Sequence, residues 1–231
     1  MESLEAELDR AQDLDVGELA DAIESIGFEC TRCGACCTAS EGHDPSDSRP
    51  RADSDDDDPH TATAFPDEVR ELQAATGSDW RDVARPVPYG LSEGPDGPEG
   101  ETFEWALQTD ACGDCTFYEE SGGEGRCTVH DDRPLICATY PFSVALDGTS
   151  QPMGEAVDEA GLVPGPASQG LGRGISRPPP PGLSRALKER GGRDTGGGHG
   201  VRRNYDPGDA GTGEVVVYDS EGPKAPDGTP R

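Results

Sequence analysis

Lysine is almost missing from this chain of 231 residues: two lysines stand beside 17 arginines and 47 aspartates and glutamates. The net charge of −28 leaves no basic face for a phosphate backbone, so a nucleic-acid partner is not expected. Aromatic residues are scarce as well, at 5%, and only 32% of the chain is hydrophobic. Such a composition does not fill a core over the full length, and implies a compact minority with a disordered remainder. No apolar run is long enough to span a membrane, so no membrane partner is expected. The first residues, Met1-Glu2-Ser3-Leu4-Glu5, are acidic and lack the apolar segment of a secretory signal; a cytoplasmic location is the expectation. Also lacking are a Ser-His-Asp arrangement, a P-loop and a dinucleotide fingerprint.

What the chain does hold is acid and cysteine. An acidic disordered protein is one reading of the charge. The excess, however, covers segments patterned for folding, and it resembles the surface bias of salt-in halophilic archaea, where hydrated carboxylates keep proteins dispersed.

The eight cysteines occupy two windows and nothing else. Cys30, Cys33, Cys36 and Cys37 have the spacing C-x2-C-x2-C-C; Cys112, Cys115, Cys127 and Cys137 open with a second C-x2-C. A C-x2-C turn aims two sulfurs at one point, and two such turns can close a thiolate shell around zinc or hold an iron–sulfur cluster. Gly34 suits the tight turn because it tolerates a left-handed backbone. In a reducing compartment such clusters are metal ligands more often than disulfides. Two four-sulfur zinc sites, one four-sulfur cluster with spare thiols, and a binuclear cluster sharing sulfurs all remain open. Neighbouring residues usually send their side chains apart, so Cys36 and Cys37 are expected to face different partners. Neither window alone offers four well-placed thiolates, so the fold is expected to bring the two together.

Along the chain, Val16, Leu19, Ala20, Ile23 and Ile26 mark one face of a helix capped by Asp15 and stopped at Gly27. Residues 38–62 hold eight acidic and two basic residues and read as a solvated loop, with His43 and His60 exposed in it. A short helix follows, with Pro66 in its first turn, Val69 and Leu72 on its inner face and Gly77 at its end. Ser78-Asp79-Trp80 caps a further turn. Residues 86–100 read as turn and loop, and Thr102–Leu107 as one strand. Pro134 opens a helical turn that Pro141 ends, and residues 143–146 suit a strand. Residues 161–204 carry 12 Gly and 6 Pro with eight positive charges against two negative, the mark of a disordered linker or a frame-disturbed segment. The strand-like Val215-Val216-Val217-Tyr218 comes after it.

The expected fold is small and irregular α+β: a metal-stapled cysteine-cluster domain of short helices and a few antiparallel strands over residues 1–150. A largely disordered stretch at 151–212 and a strand-like tail at 213–231 complete the division. The ligand candidates are all eight cysteines, the cofactor is zinc or iron, with an iron–sulfur cluster among the options, and the partner is the metal ion. His130, three residues after Cys127, is a weaker candidate ligand.

The spacing of Cys30/Cys33/Cys36/Cys37, Cys112/Cys115 and Cys127, followed by Arg133-Pro134-x-x-Cys137-x-x-Tyr140-Pro141-Phe142, resembles the CxxCxxCC cysteine-cluster family of YkgJ type. That resemblance implies zinc or iron chelation through cysteine, mostly without a known reaction. Some members are similar to the flagellin lysine methylase, which implies an iron–sulfur redox or methyl-transfer enzyme as one alternative; a metal-handling or sensor protein is another. Two positions depart from the family pattern. Ala138 stands where members often carry arginine, and Ser168-Gln169-Gly170-Leu171-Gly172 lacks the cysteine that many place before a Gly-x-Gly.

Overall fold

The computed structural model of the protein describes residues 4–26, 34, 36–39, 59–140, 142–144, 162–164, 182–206, 211 and 213–231. Its helices are α1 (Leu4–Asp13), α2 (Val16–Ile26), α3 (Pro66–Thr76), α4 (Trp80–Val83), α5 (Leu135–Thr139) and α6 (Leu183–Asn204). The strands begin with β1 (Thr63–Ala64), β2 (Ala84–Pro86), β3 (Leu91–Gly94), β4 (Gly97–Phe103) and β5 (Trp105–Leu107). They continue with β6 (Tyr118–Ser121), β7 (Glu124–Cys127), β8 (Phe142–Val144), β9 (Leu162–Pro164), β10 (Val215–Asp219) and β11 (Gly222–Lys224). Helices and mostly antiparallel strands make a small α+β protein, as expected. Two compact units result: Met1–Thr31 with Pro134–Arg203, and Arg32–Arg133 with Asn204–Arg231.

The second unit holds the larger sheets. β1, β5 and β2 form an antiparallel three-stranded sheet, and β11, β10, β4 and β3 a four-stranded one in which β10 lies parallel to β4. The expected single strand over Thr102–Leu107 is in fact the end of β4 and all of β5. Glu104 breaks it with φ 68°, its N–H donating to the Tyr218 carbonyl at 3.1 Å while its own carbonyl accepts from Val87 at 3.5 Å. That left-handed residue carries the chain from one sheet into the other. The region 86–100, expected as loop, contains β3 and the start of β4, paired from Leu91↔Gly100 to Gly94↔Gly97.

Helix α3 has the expected bounds. Pro66 sits in its first turn, Glu68 reaches back to accept the Phe65 N–H at 2.8 Å, and Gly77 closes it with φ 72°. Its Val69 and Leu72 are fully buried with Val83, Trp105, Thr102, Val216, Val217 and Tyr218. Each buried aliphatic side chain stabilises the unit by about 1.5–3 kcal/mol. No described cysteine is among these fully buried side chains, although Cys115 is buried nearby at 6% exposure. A polar knot fastens the C-terminal hairpin to it: Asp219 accepts from Lys224 Nζ at 2.5 Å and from Trp105 Nε1 at 2.8 Å, and Lys224 also reaches Glu221 at 2.9 Å. Trp80 meets Trp105 edge-on, with ring centroids 5.0 Å apart.

In the first unit, Asp15 caps α2 as expected, accepting from the Gly17 and Glu18 N–H groups at 2.7 and 3.0 Å. Leu19 is buried, while Val16 of the same expected face is 36% exposed. The turn opened by Pro134 is α5, and the strand expected at 143–146 is β8, which pairs antiparallel with β9. Helix α6 corrects the expectation of a disordered tract, since 22 residues of it are helical. Six glycines weaken that helix by about 1 kcal/mol each relative to alanine. Packing offsets them: Leu183, Leu187 and Val201 are buried. Arg190, also buried, donates to Thr139 Oγ1 at 3.0 Å and to the Phe142 carbonyl at 3.3 Å, and pairs with Asp194 at 3.3 Å.

Candidate metal centre

Two hydrogen bonds from backbone N–H groups join the two cysteine windows. Cys115 donates its N–H to the Cys37 carbonyl at 2.8 Å, and Ala39 N–H donates to Asp114 Oδ1 at 2.8 Å. Each window is shaped by its own turn. In the first, Gly34 has φ 79° and its carbonyl accepts from Cys37 N–H at 2.7 Å. In the second, Asp110 Oδ1 accepts from the N–H groups of Cys112 and Asp114 at 2.8 and 3.0 Å, an Asx-type turn that fixes the C-x2-C loop. Gly113, also left-handed, lies so close to Pro59 and Ala39 that a Cβ there meets them at 3.2–3.3 Å.

Cys36 and Cys37 do not diverge as expected. Their sulfurs are 3.6 Å apart, because both lie in the turn that Gly34 opens, where the alternation of extended backbone does not apply. Two thiolates on one tetrahedral ion with metal–sulfur bonds of about 2.3 Å are roughly 3.5–4 Å apart. The pair therefore fits a shared ion. Cys36 and Cys112 are exposed, Cys37 and Cys127 half-buried, and Cys115 buried. Cys137 belongs to the other unit, on α5. Cys30 and Cys33 lie outside the described residues, as does His43. Among the described residues no group of three or more His, Cys, Asp or Glu side chains is arranged to hold an ion.

The thiols differ in acidity. The hydrogen bond from Cys37 brings Cys36 down to about 7, helped by the charge of Arg133. Burial pushes Cys115 up to about 11 and raises Cys127 too. Cys36 thus supplies thiolate at neutral pH, while the inner thiols keep their protons until a cation displaces them.

Four residues near the windows frame the site, of which Tyr118 and Asp114 had no role in the sequence reading. Tyr118 lies over Gly34, where an added Cβ meets its hydroxyl oxygen; burial and Glu120 raise this phenol to about 12. Arg133 Nε donates to the His130 carbonyl at 2.9 Å, which places its charge beside Cys36 and Cys127. Asp114 ties the windows as described. His60, expected to be exposed, is half-buried: its N–H donates to the Gly113 carbonyl at 2.8 Å, and its Nε2 is buried with no hydrogen-bond partner. Burial and then Arg85 bring that imidazole down to about 4, so it is neutral at pH 7. Asp110, two residues before the C-x2-C, is a readable Asx signal, and Arg133 bonds within its own turn; Tyr118, Asp114 and His60 depend on contacts between distant segments. His130 is exposed, with Nδ1 3.3 Å from its neighbour Asp131.

No helix among the described residues is long and apolar enough to cross a membrane. No curated protein and no solved structure matches the chain. A family model does match: CxxCxxCC, described as "Putative zinc- or iron-chelating domain", aligns with residues 29–160. That match takes in both cysteine windows and more than half of the 231 residues, and the chain belongs to the CxxCxxCC family.

Proposed function

We propose that the protein binds zinc or iron through cysteine thiolates at the junction of its two windows, with Cys36 and Cys37 as a bidentate pair. The 3.6 Å separation of their sulfurs, next to the Cys115–Cys37 backbone bond, carries this reading. Cys112, Cys115 and Cys127 of the same unit, together with Cys30, Cys33 and Cys137, are the remaining ligand candidates. A bound ion supplies positive charge to adjacent thiolates and, as iron, a redox centre. The chain's own part is to present the sulfurs: Asp110 and Gly34 shape the turns, Asp114 holds them together, and Arg133 steadies the charge on Cys36.

Exposure favours an ion that comes and goes over one that staples the fold. Cys36 and Cys112 face solvent, and of the described cysteines only Cys115 is buried. Metal handling is therefore preferred to a purely structural ion.

Anaerobic purification followed by metal analysis and a visible spectrum tests the proposal. A colourless protein with stoichiometric zinc supports a thiolate zinc site, and visible charge-transfer bands with iron support an iron or iron–sulfur centre. Protein that retains neither metal under these conditions, and takes up neither on addition, contradicts it.

A further inference from the structure

We propose that Cys36 and Cys37 close into a reversible vicinal disulfide when the metal-free chain meets a hydroperoxide, and that this closure loosens the junction of the two windows. The dithiol alone carries the reaction, so the proposal stands apart from the metal-binding reading.

The turn that Gly34 opens sets the two sulfurs side by side, 3.6 Å apart, so a bond between them needs no unfolding. The two thiols also differ in access. Cys36 is exposed and open to a small oxidant, and Cys37 is half-buried beside it, where a resolving thiol belongs. Among the described residues, Cys112, Cys115 and Cys127 make no comparable sulfur contact.

The step takes hydrogen peroxide as oxidant. The Cys36 sulfur attacks one peroxide oxygen, the O–O bond breaks, and Cys36 becomes a sulfenic acid as the first water leaves with the thiol proton. The Cys37 sulfur then attacks the Cys36 sulfur. The S–O bond breaks, the S–S bond forms, and the second water carries away the Cys37 proton. Two electrons pass from the dithiol to the peroxide, and a thiol reductant returns them.

Closure must act on the main chain. Consecutive Cα atoms lie about 3.8 Å apart, nearer than the about 4.4–6.8 Å that disulfides usually span. Drawing the sulfurs in to about 2.05 Å therefore distorts the Cys36–Cys37 peptide. The N–H of that peptide donates to the Gly34 carbonyl at 2.7 Å, and the Cys37 carbonyl accepts from the Cys115 N–H at 2.8 Å. Tyr118 lies against Gly34, so the turn is not free to shift as a whole and the change falls on these two hydrogen bonds. Oxidation in the first window is thereby felt in the second.

Tandem mass spectrometry of the full chain tests the pairing, after reduction, treatment with chelator and exposure to one equivalent of hydrogen peroxide, with remaining thiols blocked by iodoacetamide. A Cys36–Cys37 linkage that dithiothreitol reverses is expected. Cys36 joined to any other cysteine, or no linkage at all, overturns the proposal. In Cys37→Ser, Cys36 is expected to persist as a sulfenic acid that dimedone traps, and a Cys36 disulfide formed there as fast as in the wild type overturns the assignment of Cys37 as resolving thiol. Amide hydrogen exchange then reads the coupling: the Cys37 and Cys115 N–H groups are expected to exchange about tenfold faster in the oxidised chain and to recover on reduction. Unchanged exchange at Cys115 overturns the link to the second window. Zinc and iron enter none of these readouts, so failure here leaves the metal-binding reading standing.

Discussion

The Cys115 N–H donates to the Cys37 carbonyl at 2.8 Å, so the two cysteine windows are joined through main chain. Main-chain groups alone make this contact, and no described cysteine is among the largest fully buried side chains. Removing the metal should therefore lower the melting temperature while leaving a cooperative transition, since loss of a ligand subtracts only its binding free energy. Calorimetry of chelated and loaded protein measures this. Loss of all cooperativity on chelation contradicts it and restores the expectation of a metal-stapled fold.

Gly34 is required twice over, by its left-handed φ of 79° and by Tyr118, whose hydroxyl oxygen occupies the place of a Cβ. Gly34→Ala should cost about 1–2 kcal/mol from the backbone alone, with the clash in addition, and should weaken metal binding. Adding Tyr118→Ala removes the clash but not the strain, so recovery should be partial. Chemical denaturation with metal titration of the wild type and both variants checks this; wild-type behaviour of Gly34→Ala would rule it out.

The buried Asp219–Lys224 pair makes a different kind of prediction. Asp219→Ala leaves Lys224 buried with Glu221 as its remaining carboxylate, and should cost about 3 kcal/mol. Adding Lys224→Met should recover part of that loss, because an unpaired buried charge is worse than none. Urea unfolding of both variants reads the difference, and equal stabilities would show that the pair is not coupled.

His60 should make stability depend on mild acid. Its folded value of about 4 lies below the ordinary 6.5, so the unfolded chain takes up the proton first. The contribution is present above pH 6.5 and is lost as the pH falls towards 4. Arg85 and Asp114 act on the same ring in opposite senses. His60→Gln should flatten the stability profile between those limits, and an unchanged slope would remove the assignment.

Local signals were legible, and long-range ones were not. Asp15, Asp79 and Gly77 announce helix ends because capping needs only neighbouring residues; Asp79 indeed accepts from Arg81 N–H at 3.1 Å. Glu104 gives no such notice, since its left-handed turn is imposed by Tyr218 more than a hundred positions away. The β3–β4 hairpin was hidden by strands of Ser, Glu and Gly with no apolar alternation, although Pro95-Asp96-Gly97 is a turn sequence. Helix α6 was hidden by its glycines, and Arg190, which anchors it, reads in sequence as one more linker arginine. At the candidate centre the cysteine spacing was readable, but the convergence of Cys36 and Cys37 was misjudged by a rule that suits extended chain and not a tight turn.

X-ray absorption at the metal edge tests the cysteine-ligated centre most directly. The anaerobically purified, loaded protein should show a first shell dominated by sulfur at about 2.3 Å. The double variant Cys36→Ser, Cys37→Ser should lose sulfur scatterers from that shell. A shell of nitrogen and oxygen alone, or a sulfur count unchanged in the double variant, would contradict the account.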